Sequence, residues 1–175
     1  VAADQALVSS LNVPFVNLLK EYGYERFHQK LVQMGFQSFD KPASHYGLSL
    51  ILGGAETSLW ELTNVYAGMA RAAHNFMERP LNRGYALQDY AGNRFLANQP
   101  SQDAALSSDG YLKVPSIEYT LKAMQELARP EEEAGWDLFA SQRSISWKTG
   151  TSFGFRDGWA IGLDGKHLVG VWIGN

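Results

Sequence analysis

Ser144-Ile145-Ser146-Trp147-Lys148-Thr149-Gly150-Thr151-Ser152 is the stretch from which the rest of the chain is best read. Its first half alternates as a half-buried strand does, and its second half offers a lysine, hydroxyl side chains and a glycine to whatever lies beside it. Glycine inside a strand either bends an edge or lets another backbone approach closely. A lone Lys-Thr-Gly triplet is as often plain strand-to-turn punctuation with a solvated lysine, so context decides.

Downstream of it the period of two continues. Residues 145–148, Asp157–Leu163 and residues 167–173 form three strand candidates separated by short turns, notably Asp164-Gly165, and this predicts an antiparallel meander. Upstream, the pattern is helical. Leu7 and Leu11, then Val13, Val16, Leu18 and Leu19, fit two helices meeting at Ser10-Leu11-Asn12, with Pro14 tolerated in the first turn of the second. Tyr24–Met34 carries Phe27, Leu31 and Met34 on one face, with Gly23 and Gly35 as stops. Residues 47–54 are an apolar run closed by two glycines, and Thr57 or Ser58 caps a largely buried helix running through Ala73. A small hairpin over residues 85–96 and a loop over 98–109 follow. Ser116 is then expected to cap a helix with Ile117, Leu121, Met124 and Leu127, ended by Pro130 and the solvated Glu131-Glu132-Glu133.

The 175 residues, 45% hydrophobic, suffice for one core without disulfide staples, and cysteine is absent, which excludes thiolate nucleophiles and Cys-based zinc sites. With 15 basic against 18 acidic residues and no basic block, a nucleic-acid surface is excluded, since phosphate binding needs clustered Lys and Arg. No run reaches the roughly 18 apolar residues of a membrane span. His28, His45, His74 and His167 show no metal-ligand spacing. No cofactor or metal is expected. The absence of an initial Met and the stop directly after an apolar strand pattern read as the ends of a piece cut from something longer.

Ser10-Leu11-Asn12 in a helical region, Leu52-Gly53-Gly54-Ala55-Glu56-Thr57 leading to Tyr66-Ala67-Gly68-Met69-Ala70, Lys148-Thr149-Gly150-Thr151 on a strand, and the Arg156–Gly162 and Leu168–Gly174 phrases together resemble the transpeptidase domain of class A penicillin-binding proteins. The resemblance covers nearly the whole chain, from about Ala6 to Gly174. It implies an α/β (α+β) fold of the penicillin-binding-protein and serine β-lactamase-like type, with residues 1–175 the C-terminal portion of one domain.

The family's reaction is D,D-transpeptidation: a serine attacks the penultimate D-Ala carbonyl of a peptidoglycan stem peptide, and an amine of a neighbouring strand takes the acyl group. The resemblance implies that Lys148, Thr149 and Thr151 hold the substrate carboxylate by charge-assisted hydrogen bonds. It implies that Gly150 permits close backbone approach, that the Thr151 N–H is one of two oxyanion donors and that Ser152 borders the substrate site. Ser10 would relay a proton to the leaving amine and Asn12 would orient the reacting groups. Read without the family, Ser10 and Asn12 are ordinary helix caps.

Set against the family, the nucleophile helix and the N-terminal strands of the central sheet are missing. The family's nucleophile is the Ser of a Ser-x-x-Lys motif preceding Ser-x-Asn, and only nine residues precede Ser10. Ser38-Phe39-Asp40-Lys41 has the spacing but the wrong place, and Pro42 disfavours the helix that would align its ends. Glu61-Leu62-Thr63-Asn64 resembles the deacylating region of class A β-lactamases but sits in a structural helix pattern. The expectation is therefore a transpeptidase segment inactive alone, from a bifunctional parent with a glycosyltransferase and membrane anchor on the periplasmic side of the inner membrane of a bacterial envelope. Its partners would be stem peptides, β-lactam antibiotics and the missing N-terminal part of the domain, with membrane contact only through segments outside these residues. The rivals are a β-lactam hydrolase, which needs a deacylating base, and a non-catalytic peptide- or partner-binding module using Trp147, Phe153, Phe155 and Trp159, aromatics that ordinarily belong to a core.

Overall fold

A computed structural model describes residues 1–78, 112–126 and 144–174. The expected hairpin over 85–96, the loop over 98–109 and the acidic helix end at Glu131-Glu132-Glu133 lie outside those residues. In chain order come α1 (Ala3–Val8), α2 (Asn12–Tyr22), α3 (Tyr24–Met34), α4 (Ala43–Tyr46), a 3₁₀ turn (Gly47–Leu52), α5 (Leu59–Glu78), α6 (Val114–Gln125), β1 (Ser146–Thr151), β2 (Asp157–Leu163) and β3 (Leu168–Gly174).

The helices begin and end where local chemistry allows. Gly23 and Gly35, at φ 91° and 114°, bracket α3 in backbone conformations that side chains resist. Ser58 accepts the Glu61 N–H at 3.1 Å and so caps α5, which continues to Glu78, beyond the predicted Ala73. Ser116 does not cap α6. That helix starts at Val114 with Lys113 as its cap residue and Pro115 in the first turn, where a missing N–H leaves nothing unpaired.

Phe36 and Phe39 stack at 4.8 Å within a core of Met34, Tyr46, Leu50, Val65, Met69, Ala72 and Ile117, so α3, the 3₁₀ turn, α5 and α6 share one apolar centre. Each large side chain buried there contributes about 1.5–3 kcal/mol.

The sheet is the predicted antiparallel meander in the order β1-β2-β3. Lys148 faces Ile161, Gly150 faces Trp159, and Trp159 faces Trp172. Alternation puts Ser146, Lys148, Gly150, Ile161, Leu163 and Gly170 on one face, against which α6 packs at β1 and α5 at β3. Gly170 makes this close approach possible: a Cβ there would lie 2.5 Å from Thr63 Oγ1 and 3.0 Å from Leu59 Cδ1. β1 pairs only with β2, so its other edge carries the predicted Lys-Thr-Gly run unpaired among the described residues.

Candidate active site

β1 extends through Thr151, three residues beyond the predicted end, because Gly150 pairs with Trp159 instead of breaking the strand. The Ser152 N–H donates to the Asp157 carbonyl at 3.0 Å, which fixes the phase of the ladder. Since inward and outward backbone groups alternate along an antiparallel pair, Trp147, Thr149 and Thr151 turn their N–H and C=O groups to the free edge. The turn beyond is stapled by Asp157, whose carboxylate accepts from Ser152 Oγ at 2.8 Å and from Trp172 Nε1 at 3.0 Å.

Lys148 Nζ donates to Ser10 Oγ at 2.5 Å and to the Thr149 carbonyl at 2.7 Å, so residues 138 positions apart in sequence meet at that edge. An ammonium has three donors, and these two contacts leave one for an incoming anion. Burial pushes the Lys148 pKa below the ordinary lysine value. A proton is therefore released more readily here than from a solvated lysine, which suits a group that exchanges protons with a hydroxyl.

Ser10 reaches Lys148 from a strained turn. Its φ is 51°, and its N–H donates to the Leu7 carbonyl at 3.1 Å while the Leu11 N–H donates to Ala6 at 2.9 Å. That pair of bonds is the Schellman stop of α1. Ser10 is thus the residue after the C-cap of α1, and Asn12 is the exposed first residue of α2, whose N-cap position is Leu11. The capping alternative fails for both, because neither side chain makes a cap bond to α2.

The remaining predicted residues are distributed less simply. Thr149 and Thr151 are exposed, and their side chains leave the face opposite Lys148, so it is their edge-facing backbone groups that share its side of the strand. Ser152 belongs to the Asp157 staple. Ser38 does not approach Lys41: its hydroxyl and N–H donate to Glu61, while Lys41 pairs with Asp40 at 3.3 Å. Glu61 also accepts from the Gln37 N–H at 3.0 Å and Thr57 Oγ1 at 3.0 Å. Burial pushes the Glu61 pKa up, but these hydrogen bonds, led by Ser38 and Thr57, prevail and hold it below the ordinary range. Phe155 is 90% exposed at φ 57°, which removes it from the expected aromatic core, whereas Trp147 and Trp159 are half-buried.

Known proteins resemble the chain over nearly its whole length. The chain is 31% identical to penicillin-binding protein 1C of Escherichia coli (strain K12) over 99% of its own length and 20% of that protein's. The chain is similar to the class A penicillin-binding proteins over nearly its whole length. Penicillin-binding protein 1A of Neisseria meningitidis (strain Z2491) is 28% identical over 99% of this chain and 21% of that protein, and penicillin-binding protein 1B of Haemophilus influenzae (strain Rd) is 24% identical over 97% and 20%. No family model matches the chain. It therefore spans about one fifth of the penicillin-binding proteins it matches. What sequence reasoning missed in this site is the left-handed turn at Ser10, because a serine carries none of the signal that glycine gives at such a stop.

Proposed function

We propose that this chain is the C-terminal portion of a peptidoglycan D,D-transpeptidase domain, of the penicillin-binding-protein fold, acting on stem peptides and β-lactams on the periplasmic side of a bacterial inner membrane. The contact between Lys148 Nζ and Ser10 Oγ carries the reading, since it joins the two motifs on which the resemblance rests. In this reading the free Lys148 donor and the edge-facing Thr149 N–H receive the carboxylate of a D-Ala-D-Ala end. The Thr151 N–H faces the developing oxyanion, an interaction of about 3–4 kcal/mol in such sites. Ser10 and Lys148 pass a proton to the leaving amine, and Asn12 orients the substrate amide.

The acyl step itself needs a nucleophile. Ser38-Phe39-Asp40-Lys41 supplies none, because Ser38 is committed to Glu61. Glu61 in turn is committed to Ser38, Gln37 and Thr57, which weighs against its service as the deacylating base of a β-lactam hydrolase.

Intact-mass spectrometry before and after incubation with a penicillin tests this. The 175 residues alone should form no adduct, and a longer chain supplying an upstream Ser-x-x-Lys should be acylated once, with Lys148→Ala slowing acylation about 10²–10⁴-fold. A stoichiometric adduct on the 175 residues alone would overturn the reading, and peptide mapping would then identify Ser38 or Ser10 as the nucleophile.

A further inference from the structure

The chain ends two helices by the same pair of hydrogen bonds. After α3, the Gly35 N–H donates to Val32 at 3.0 Å and the Phe36 N–H to Leu31 at 3.3 Å. After α1, the Ser10 N–H donates to Leu7 at 3.1 Å and the Leu11 N–H to Ala6 at 2.9 Å. Gly35 and Ser10 hold the same place, and both have positive φ, 114° and 51°. Glycine is the usual occupant because a Cβ there crowds its own backbone.

What distinguishes Ser10 from Gly35 is its hydroxyl, which receives the Lys148 ammonium. The two backbone bonds fix the direction in which the Cα–Cβ bond leaves the turn, and Ala6, whose carbonyl anchors it, is 2% exposed while α1 packs against α6, the helix that packs against β1. The turn, its anchor and the strand are thus tied into one unit.

We infer that the stop of α1 is a positioning device: it holds Ser10 in a left-handed conformation that glycine would occupy with greater stability, and the fold gives up that stability to aim a hydroxyl at Lys148. The functional half of this inference rests on the reading of Ser10 and Lys148 as the proton-handling pair; the conformational half does not.

The two halves separate in experiment. In thermal unfolding of the full chain, Ser10→Gly should melt roughly 2–4 °C above Ser10→Ala, because both lose the hydroxyl bonded to Lys148 and only glycine relieves the strain, less the entropy it adds to the unfolded state. Ser10→Ala, which keeps the strain and loses the hydroxyl, should fall below wild type, and Ser10→Thr, β-branched, should fall furthest. Gly35→Ser, which installs the same strain away from Lys148, should lower Tm by a similar amount. A Ser10→Gly variant no more stable than Ser10→Ala would overturn the proposal.

An NMR titration of the Lys148 side chain supplies the readout that a structural role alone would not move. Ser10→Gly should raise its midpoint, as water replaces the hydroxyl, whereas Gly35→Ser should leave it in place; an unmoved midpoint in Ser10→Gly would overturn the positioning claim. If Tm and titration behave as expected but penicillin acylation of the longer chain proceeds unchanged in Ser10→Gly, the transpeptidase assignment of Ser10 fails while the strained stop stands.

Discussion

Glu61 gathers the Gln37 and Ser38 N–H groups and the Ser38 and Thr57 hydroxyls onto one carboxylate that is 8% exposed. It thereby pins the segment after α3 to the start of α5. Hydrogen bonds to a charged acceptor contribute more than neutral ones, and a side chain that accepts none leaves several donors unmet. Glu61→Leu should therefore cost about 2–4 kcal/mol in urea unfolding at neutral pH. Because the folded-state pKa of Glu61 lies below the ordinary value of 4.5, its stabilisation is complete above that value and is lost as pH falls through the lowered one. The stability advantage of wild type over Glu61→Gln should shrink across that acid window; a difference independent of pH there would refute the account. At this scale the sequence told much about residue types and less about geometry. The pairing of Ser10 with Lys148 could be suspected because short motifs keep their chemistry, and the two side chains meet. The partnership of Ser38 with Glu61, 23 positions away, was not, because no local spacing encodes it.

Among the elements, the seam between α5 and β3 depends on the missing side chain of Gly170. Thr63 is not free to yield, since its hydroxyl donates to the Leu59 carbonyl at 2.6 Å. Gly170→Ala should push α5 off the sheet and cost about 1–3 kcal/mol, measured by chemical denaturation. Gly162→Ala is the control, because its Cβ would meet Trp147 Cβ at an ordinary 3.4 Å; equal losses at the two positions would show that strand propensity, not crowding, sets the effect. The elements themselves were largely readable. Gly23 and Gly35 set the ends of α3 to the residue, and β2 matched its predicted bounds, because backbone freedom and period two are local properties. The start of α6 was not readable, since Ser116 had a capping residue's chemistry but Pro115 already lay inside the helix. The full length of β1 also escaped, because its end is decided by pairing across the sheet and not by Gly150.

For the whole molecule, the decisive asymmetry is between the two faces of the sheet. One face meets α5 and α6, while the other presents Val169, Val171 and Ile173 at 59%, 45% and 72% exposure. Those three belong to β3, which pairs only with β2 among the described residues and reads Leu-Val-Gly-Val-Trp-Ile-Gly without a charge or proline to blunt its edge. The Asp164 N–H to His167 carbonyl bond sets the phase, so the backbone groups of Leu168, Gly170 and Trp172 point outward from that edge. An apolar strand of this kind with unpaired donors and acceptors is a template for another strand. The 175-residue chain should therefore self-associate as its concentration rises, with light scattering coupled to gel filtration reporting masses above 19.4 kDa. Ile173→Lys places a charge on the exposed face and should shift that distribution toward monomer, while changing stability by no more than about 0.5 kcal/mol because the side chain is solvated already. A chain that stays monomeric throughout the micromolar range, or an Ile173→Lys variant that associates as wild type does, would show that β3 is not the sticky edge.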